Sequence, residues 1–200
     1  MAEVFHAGGA AAHAPRARPL ATIAAATRPL PAAELTVVGE DTARLVFRGR
    51  EAAIGPAGEA FGVALPRRRG AFGEARGRTA IWLGPDEWLL LAPDTAPEAV
   101  AAAIEAATAG VPHSLVDVSH RQLCIAVSGP QAATVLAAGC PLDLSLEAFP
   151  VGTATRTVLA KAEVVLARTA ADVFHIEVWR SFAAYVWHVL DEARREFRAG

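Results

Sequence analysis

A catalytic site needs an acid or base beside a nucleophile, or convergent ligands for a metal, and the residues here that could serve are few. His6, His13, His113, His120, His175 and His188 are scattered, and no pair has metal-ligand spacing. Ser119 and His120 are adjacent, but adjacent side chains on a strand point to opposite faces, so they form no nucleophile–base pair. Asp117 and Ser119 do share a face near a strand end. A strand-end acid can transfer protons, or it can bind the backbone of a turn; the second reading is favoured. His175 and Glu177 share another strand face, where a solvated or interface pair is favoured over a catalytic dyad. Cys124 and Cys140 fit no zinc or redox motif and read as small buried hydrophobes in a reducing compartment. Arg67-Arg68-Arg69 could hold an anion, although such a run in a loop is more often solvated. There is no G-x-G-x-x-G after a strand, no P-loop, no H-E-x-x-H and no G-x-S-x-G. No catalytic, cofactor-binding or metal residue is therefore expected in this chain.

The 200 residues suit one domain, or two small halves sharing a core. Apolar residues make up 53% of the chain, enough for a buried core, though alanine supplies much of it. A formal net charge of -2 gives no global field favouring nucleic acid or an anionic membrane. No run of about 18 apolar residues exists, and Glu3, His6 and the early arginines leave no signal peptide. A cytoplasmic location is expected.

The elements that must position any site read as follows. Residues 1–33 are rich in Ala, Pro and Arg without apolar period and are expected as a flexible arm. Residues 35–38 and 43–48 read as strands, with Leu45 and Phe47 alternating against Arg44, Val46 and Arg48. A weak helix is expected near 51–61 and a loop over 66–78. Strands at 79–83 and 88–91 flank a Gly84-Pro85-Asp86 turn, a hairpin signal. A helix over 96–109 has Thr95 as its expected cap. Strands at 114–118 and 122–127, a helix at 130–138, and strands at 153–159, 162–168 and 172–179 follow. The last helix is expected to begin at Ser181, with an apolar stripe of Phe182, Tyr185, Val186, Val189, Leu190, Ala193 and Phe197. The order of elements repeats in pattern, so the fold class is α+β, one domain over 34–200 made of two related β-α-β-type halves with ferredoxin-like elements, about 34–118 and 119–200.

Trp82 and Trp88 flank the turn, and Trp179 and Trp187 lie near the start of the last helix. Trp187 falls off the expected stripe. Large aromatics off the core face indicate an interface or second-face packing within the domain, and both readings stand. Trp88, Trp187 and Arg121 are expected as partner contacts.

Several runs resemble one family. Ala80-Ile81-Trp82-Leu83-Gly84-Pro85-Asp86-Glu87-Trp88-Leu89-Leu90-Leu91 looks like a signature of the gamma subunit of heterotetrameric sarcosine oxidase. Val116-Asp117-Val118-Ser119-His120-Arg121 before a strand and Gly129-Pro130, the Gly139–Leu144 run, Phe149-Pro150-Val151-Gly152 with Thr155, and Trp179-Arg180-Ser181-Phe182-Ala183-Ala184-Tyr185 fit as well. The resemblance covers about residues 35–195. It implies a fold similar to the folate-binding domain of the glycine-cleavage aminomethyltransferase. It also implies an accessory role in oxidative demethylation of sarcosine to glycine, with hydrogen peroxide formed and, given tetrahydrofolate, methylenetetrahydrofolate. FAD, FMN, NAD and tetrahydrofolate are then expected in the other subunits. The alpha, beta and delta subunits are the implied partners, alpha the direct contact. The Lys-Gly-Cys-Tyr-type motif of the folate-dependent iron–sulfur repair proteins is absent, and no catalytic aspartate of the aminomethyltransferases is matched. The alternatives are a stand-alone folate-binding protein of one-carbon transfer, or a regulatory or scaffold module.

Overall fold

The computed structural model describes residues 18–93 and 95–198. Alternation of apolar side chains builds two antiparallel five-stranded sheets. In sheet I the order is β3 (Phe72–Ala75), β4 (Arg78–Gly84), β5 (Glu87–Ala92), β2 (Ala43–Gly49) and β6 (His113–Asp117). In sheet II it is β1 (Glu34–Val38), β7 (Gln122–Ser128), β10 (Val173–Trp179), β9 (Ala162–Ala170) and β8 (Thr153–Leu159).

Each sheet puts one face under helices. In β2, Ala43, Leu45 and Phe47 pack beneath α2 (Glu51–Phe61) and α3 (Pro97–Ala107), with Ile54, Phe61, Val100 and Ile104 above them. In β7, Leu123, Ile125 and Val127 pack beneath α1 (Ala21–Ala26), α4 (Ala132–Ala137) and α5 (Arg180–Ala193). The two remaining faces meet. Ile81, Leu89 and Val118 from one side close on Ala154, Val165 and Ala167 from the other. The product is a four-layer α-β-β-α stack, the two-half α+β arrangement expected from the repeat.

Several boundaries move. The strand at 34–38 pairs with β7, so it belongs to the second half's sheet and not to the first. A strand, β3, forms inside the expected loop by pairing with β4. α3 takes Ala96 as its N-cap, while Thr95 Oγ1 accepts from Arg78 Nη2 at 2.7 Å. α5 begins at Arg180, one residue before the expected cap Ser181.

The largest change concerns residues 18–33, which pack on sheet II as α1 and its flanks instead of forming an arm. Leu20 and Ala33 are fully buried. Arg194, also fully buried, donates to the carbonyls of Ala33 (3.1 Å) and Arg28 (2.8 Å). Gly129 has φ +120°, and a Cβ there would stand 2.4 Å from Pro31 O, so a glycine is required where this segment crosses. The cover over α5 also rotates its buried face to Ala183, Val186, Trp187 and Leu190, leaving Phe182 and Tyr185 of the expected stripe outside. The expected arm residues 1–17 lie outside the described residues.

Candidate functional site

The strand alternation that fills the helical layers forces polar residues of the same strands into the space between the sheets. Arg44 points inward from β2 and Glu177 from β10. Arg44 Nε donates to Glu177 Oε2 at 2.7 Å and Nη2 to Oε1 at 3.2 Å. Nη1 also donates to the carbonyls of Thr42 and Gly39, at 3.1 and 3.2 Å. Ser119 Oγ accepts from the Arg44 backbone N–H at 2.9 Å. Burial presses the guanidinium's pKa down, but the charge and hydrogen bonds of Glu177 outweigh it and the pKa stands raised. The fork-to-fork pair thus ties sheet I to sheet II at mid-layer.

Toward one end the sheets part and leave a cleft of about 230 Å³. Arg48 and Glu87 come from sheet I, Gln122, Arg156 and Trp179 from sheet II, and Arg121 from the turn before β7. The mouth is partly neutralised: Arg156 donates to both Glu87 oxygens, and Arg48 to Asp86 at 3.3–3.4 Å. Arg121 lies over the Trp179 indole, 5.5 Å from the ring centroid, a cation–π contact. At the cleft wall, Gln122 is buried and its Oε1 has no hydrogen-bond partner.

The structure divides the residues singled out in the sequence. Glu87, Arg121 and Trp179 line the cleft, and Asp86 reaches it through Arg48. Gly84 and Pro85 shape the β4–β5 turn that carries Asp86 and Glu87. Trp82 is half-buried at the edge of the α2–α3 core. Asp117 Oδ1 accepts from Ser119 N–H at 2.8 Å, a turn-binding contact, and Ser119 is buried against β2. Trp88 and Trp187, expected as partner contacts, are each only 1% exposed. Trp88 Nε1 donates to Pro66 O at 2.8 Å, and Trp187 Nε1 to Thr27 Oγ1 at 2.9 Å. Both are core residues with their polar atom satisfied, which corrects the expectation. Thr27 was missed as a partner because residues 18–33 were not counted as cover.

Gln122, Arg156, Arg48 and the Arg44–Glu177 pair were not singled out in the sequence. For Gln122, Arg48, Arg44 and Glu177 the one signal is a polar residue on the inner register of a strand whose other register is apolar; Arg156 lacks even that, since Thr153, Thr155 and Thr157 occupy the other register of β8. The expected His175–Glu177 pair does not form as read, because Glu177 is buried on Arg44. Burial lowers the His175 pKa, against the pull of Glu177 and Glu74. His113 is raised instead, by its bond to the Val111 carbonyl and by Glu105 at 3.0 Å. Burial pushes the Cys124 thiol well above its ordinary value, so it is a poor nucleophile. Of the arginine run, Arg67 pairs with Glu51, and all three side chains are exposed. Among the described residues no three His, Cys, Asp or Glu side chains converge as a metal site, and no helix is long and apolar enough to cross a membrane.

Comparison with known proteins adds identity to this geometry. Residues 49–196 match the sarcosine oxidase, gamma subunit family. The sarcosine oxidase subunit gamma of Corynebacterium sp. (strain P-1) is 39% identical over 140 residues, covering 70% of this chain and 68% of that one. The same subunit of Arthrobacter sp is 37% identical over 139 residues, 69% and 68% of the two chains. A chain of the heterotetrameric sarcosine oxidase from Corynebacterium sp. U-96, solved in complex with pyrrole 2-carboxylate, superposes with a TM-score of 0.85 at 32% identity, covering 92% of this chain and 97% of that one. The glycine cleavage system aminomethyltransferase T from Bartonella henselae shares the fold, with a TM-score of 0.60 at 20% identity over 84% of this chain and 47% of that one. The chain therefore belongs to the sarcosine oxidase gamma subunit family.

Proposed function

We propose that this chain is the accessory gamma subunit of a heterotetrameric sarcosine oxidase, docked on the alpha subunit within an assembly that also holds beta and delta subunits. In this reading the complex demethylates sarcosine to glycine, reducing oxygen to hydrogen peroxide and passing the one-carbon unit to tetrahydrofolate. FAD, FMN, NAD and tetrahydrofolate reside in the other subunits. The observation that carries the reading is the near full-length superposition on a chain of a sarcosine oxidase heterotetramer. The disposition of polar groups supports it. The inner-layer acid and base, Glu177 and Arg44, are bound to each other, Asp117 binds a turn, and the Cys124 thiol is held protonated. These groups maintain a shape, and none stands poised for proton transfer. The chain contributes a rigid body held by three apolar layers.

Co-expression with candidate alpha, beta and delta chains tests the proposal. The expected result is co-purification in constant ratio, with sarcosine-dependent peroxide formation. A chain that stays apart from all three, with oxidase activity the same in its absence, overturns it.

A further inference from the structure

Among the described residues seven large apolar side chains are exposed; Val116 (51% exposed) and Trp179 (43%) line the cleft, and Phe182 (41%) and Tyr185 (37%) lie on the first turns of α5, which follows Trp179 directly. Phe182 and Tyr185, three apart on α5, lie on one side of that helix, and Trp179, the last residue of β10, stands just before its first turn. A cluster of aromatics rimmed by charge is the anatomy of a protein interface.

The cleft adds chemistry to that patch. Its Arg48 and Arg156 already face carboxylates. The Arg121 guanidinium faces none among the described residues and rests on Trp179. Gln122 also lines the cleft, but its unpaired Oε1 is sealed from solvent and out of reach of a docking chain. On the same sheet, across β10 from Gln122, Glu163 is an exposed carboxylate. A small inorganic ion would answer only one of these groups. A polypeptide segment answers both charges, with a carboxylate for Arg121 and a basic or amide group for Glu163, while its apolar side chains cover the aromatics.

We infer that the face formed by Val116, Trp179, Phe182 and Tyr185, with the cleft behind Trp179, is where the alpha subunit of the oxidase docks, setting an acidic side chain on Arg121. The inference rests on the subunit reading above and names the surface that reading requires. Trp179 is the anchor, being a half-exposed tryptophan with its face held by a cation. Buried Trp88 and Trp187 take no part.

The test is assembly of the full-length chain, co-expressed with the other subunits, as wild type and as Trp179→Ala, Phe182→Ala and Arg121→Glu. Leu146→Ala and Val151→Ala, exposed positions away from the cleft, serve as controls. Trp179→Ala is expected to weaken the subunit's dissociation constant roughly 30-fold, and Arg121→Glu at least as much, with the controls unchanged. The thermal midpoint of the lone chain is measured for each variant; Arg121→Glu, a surface change, decides the matter if Trp179→Ala lowers it. Wild type and all three variants assembling equally tightly overturns the docking face and leaves the subunit reading intact. Weakening by the controls alone also overturns it. A wild-type chain that fails to assemble overturns both.

Discussion

Replacing Glu177 with leucine would leave the Arg44 guanidinium between two sheets without its counter-ion. Arg44 and Glu177 are both buried, 1% and 5% exposed at the side chain, and their charges meet at 2.7 Å. Water cannot reach the guanidinium without parting the sheets, so the uncompensated charge is expected to cost about 3–5 kcal/mol. At about 2–4 °C per kcal/mol for a chain of this size, the midpoint falls by about 6–20 °C. Arg44→Met should cost a similar amount, since it strands Glu177 and also frees the Thr42 and Gly39 carbonyls. The double variant Arg44→Met/Glu177→Leu removes both charges and is expected to be more stable than either single variant. It should remain short of wild type, because the two carbonyls are still orphaned. Denaturant unfolding of the isolated chain through this double-mutant cycle reads the coupling directly. Single variants that each cost under about 1 kcal/mol, as exposed pairs do, or effects that simply add, would refute the account of this pair as the inter-sheet tie.

Other consequences can be checked on the same preparation. Trp187→Ala empties the core beneath residues 18–33 and removes the bond to Thr27, so a loss of about 3–5 kcal/mol is expected, with faster proteolytic cleavage in that segment. Trp88→Ala should cost about as much through the α2–α3 layer and the Pro66 carbonyl. His113 has its pKa raised on folding. Its contribution is therefore complete below the unfolded value of about 6.5 and lost as pH rises through the folded value. His113→Gln should flatten that part of a midpoint-versus-pH curve. His175 is lowered by burial. The unfolded chain then takes up a proton that the folded chain refuses, so stability falls as pH drops below about 6.5, and this slope should survive His113→Gln. Cys124 should resist a thiol reagent in the folded chain and react on unfolding; rapid modification of the native protein at neutral pH would contradict its burial.

Strand alternation alone determined most of the sheets. Leu45 and Phe47 against Arg44, Val46 and Arg48 on β2, and Leu123, Ile125 and Val127 on β7, give the helix-facing register because a period of two has only two phases. The Gly84-Pro85-Asp86 turn and the α5 segment were legible for the same local reason. α2 was legible only weakly, since Gly55, Pro56 and Gly58 interrupt it; the packing of Ile54, Ala57 and Phe61 on sheet I decides it. Which strand joins which sheet was not local information. β1 pairs with β7 across some ninety residues of chain, and nothing within residues 34–38 states that partner.

The cleft was legible as scattered letters and no more. Glu87, Arg121 and Trp179 stand out in sequence, each within a family signature, yet their convergence with Gln122 and Arg156 depends on two sheets meeting face to face. The tryptophans show the difference most plainly. Their types and spacing marked all four as consequential. Trp88 and Trp187 went to the core and Trp179 to the surface because burial depends on what the rest of the chain lays over a helix or strand. For Trp187 that cover is residues 18–33, a stretch whose own composition carries no period and whose place is set by tertiary contacts, Leu20, Thr27 and Ala33 on sheet II and α5 among them.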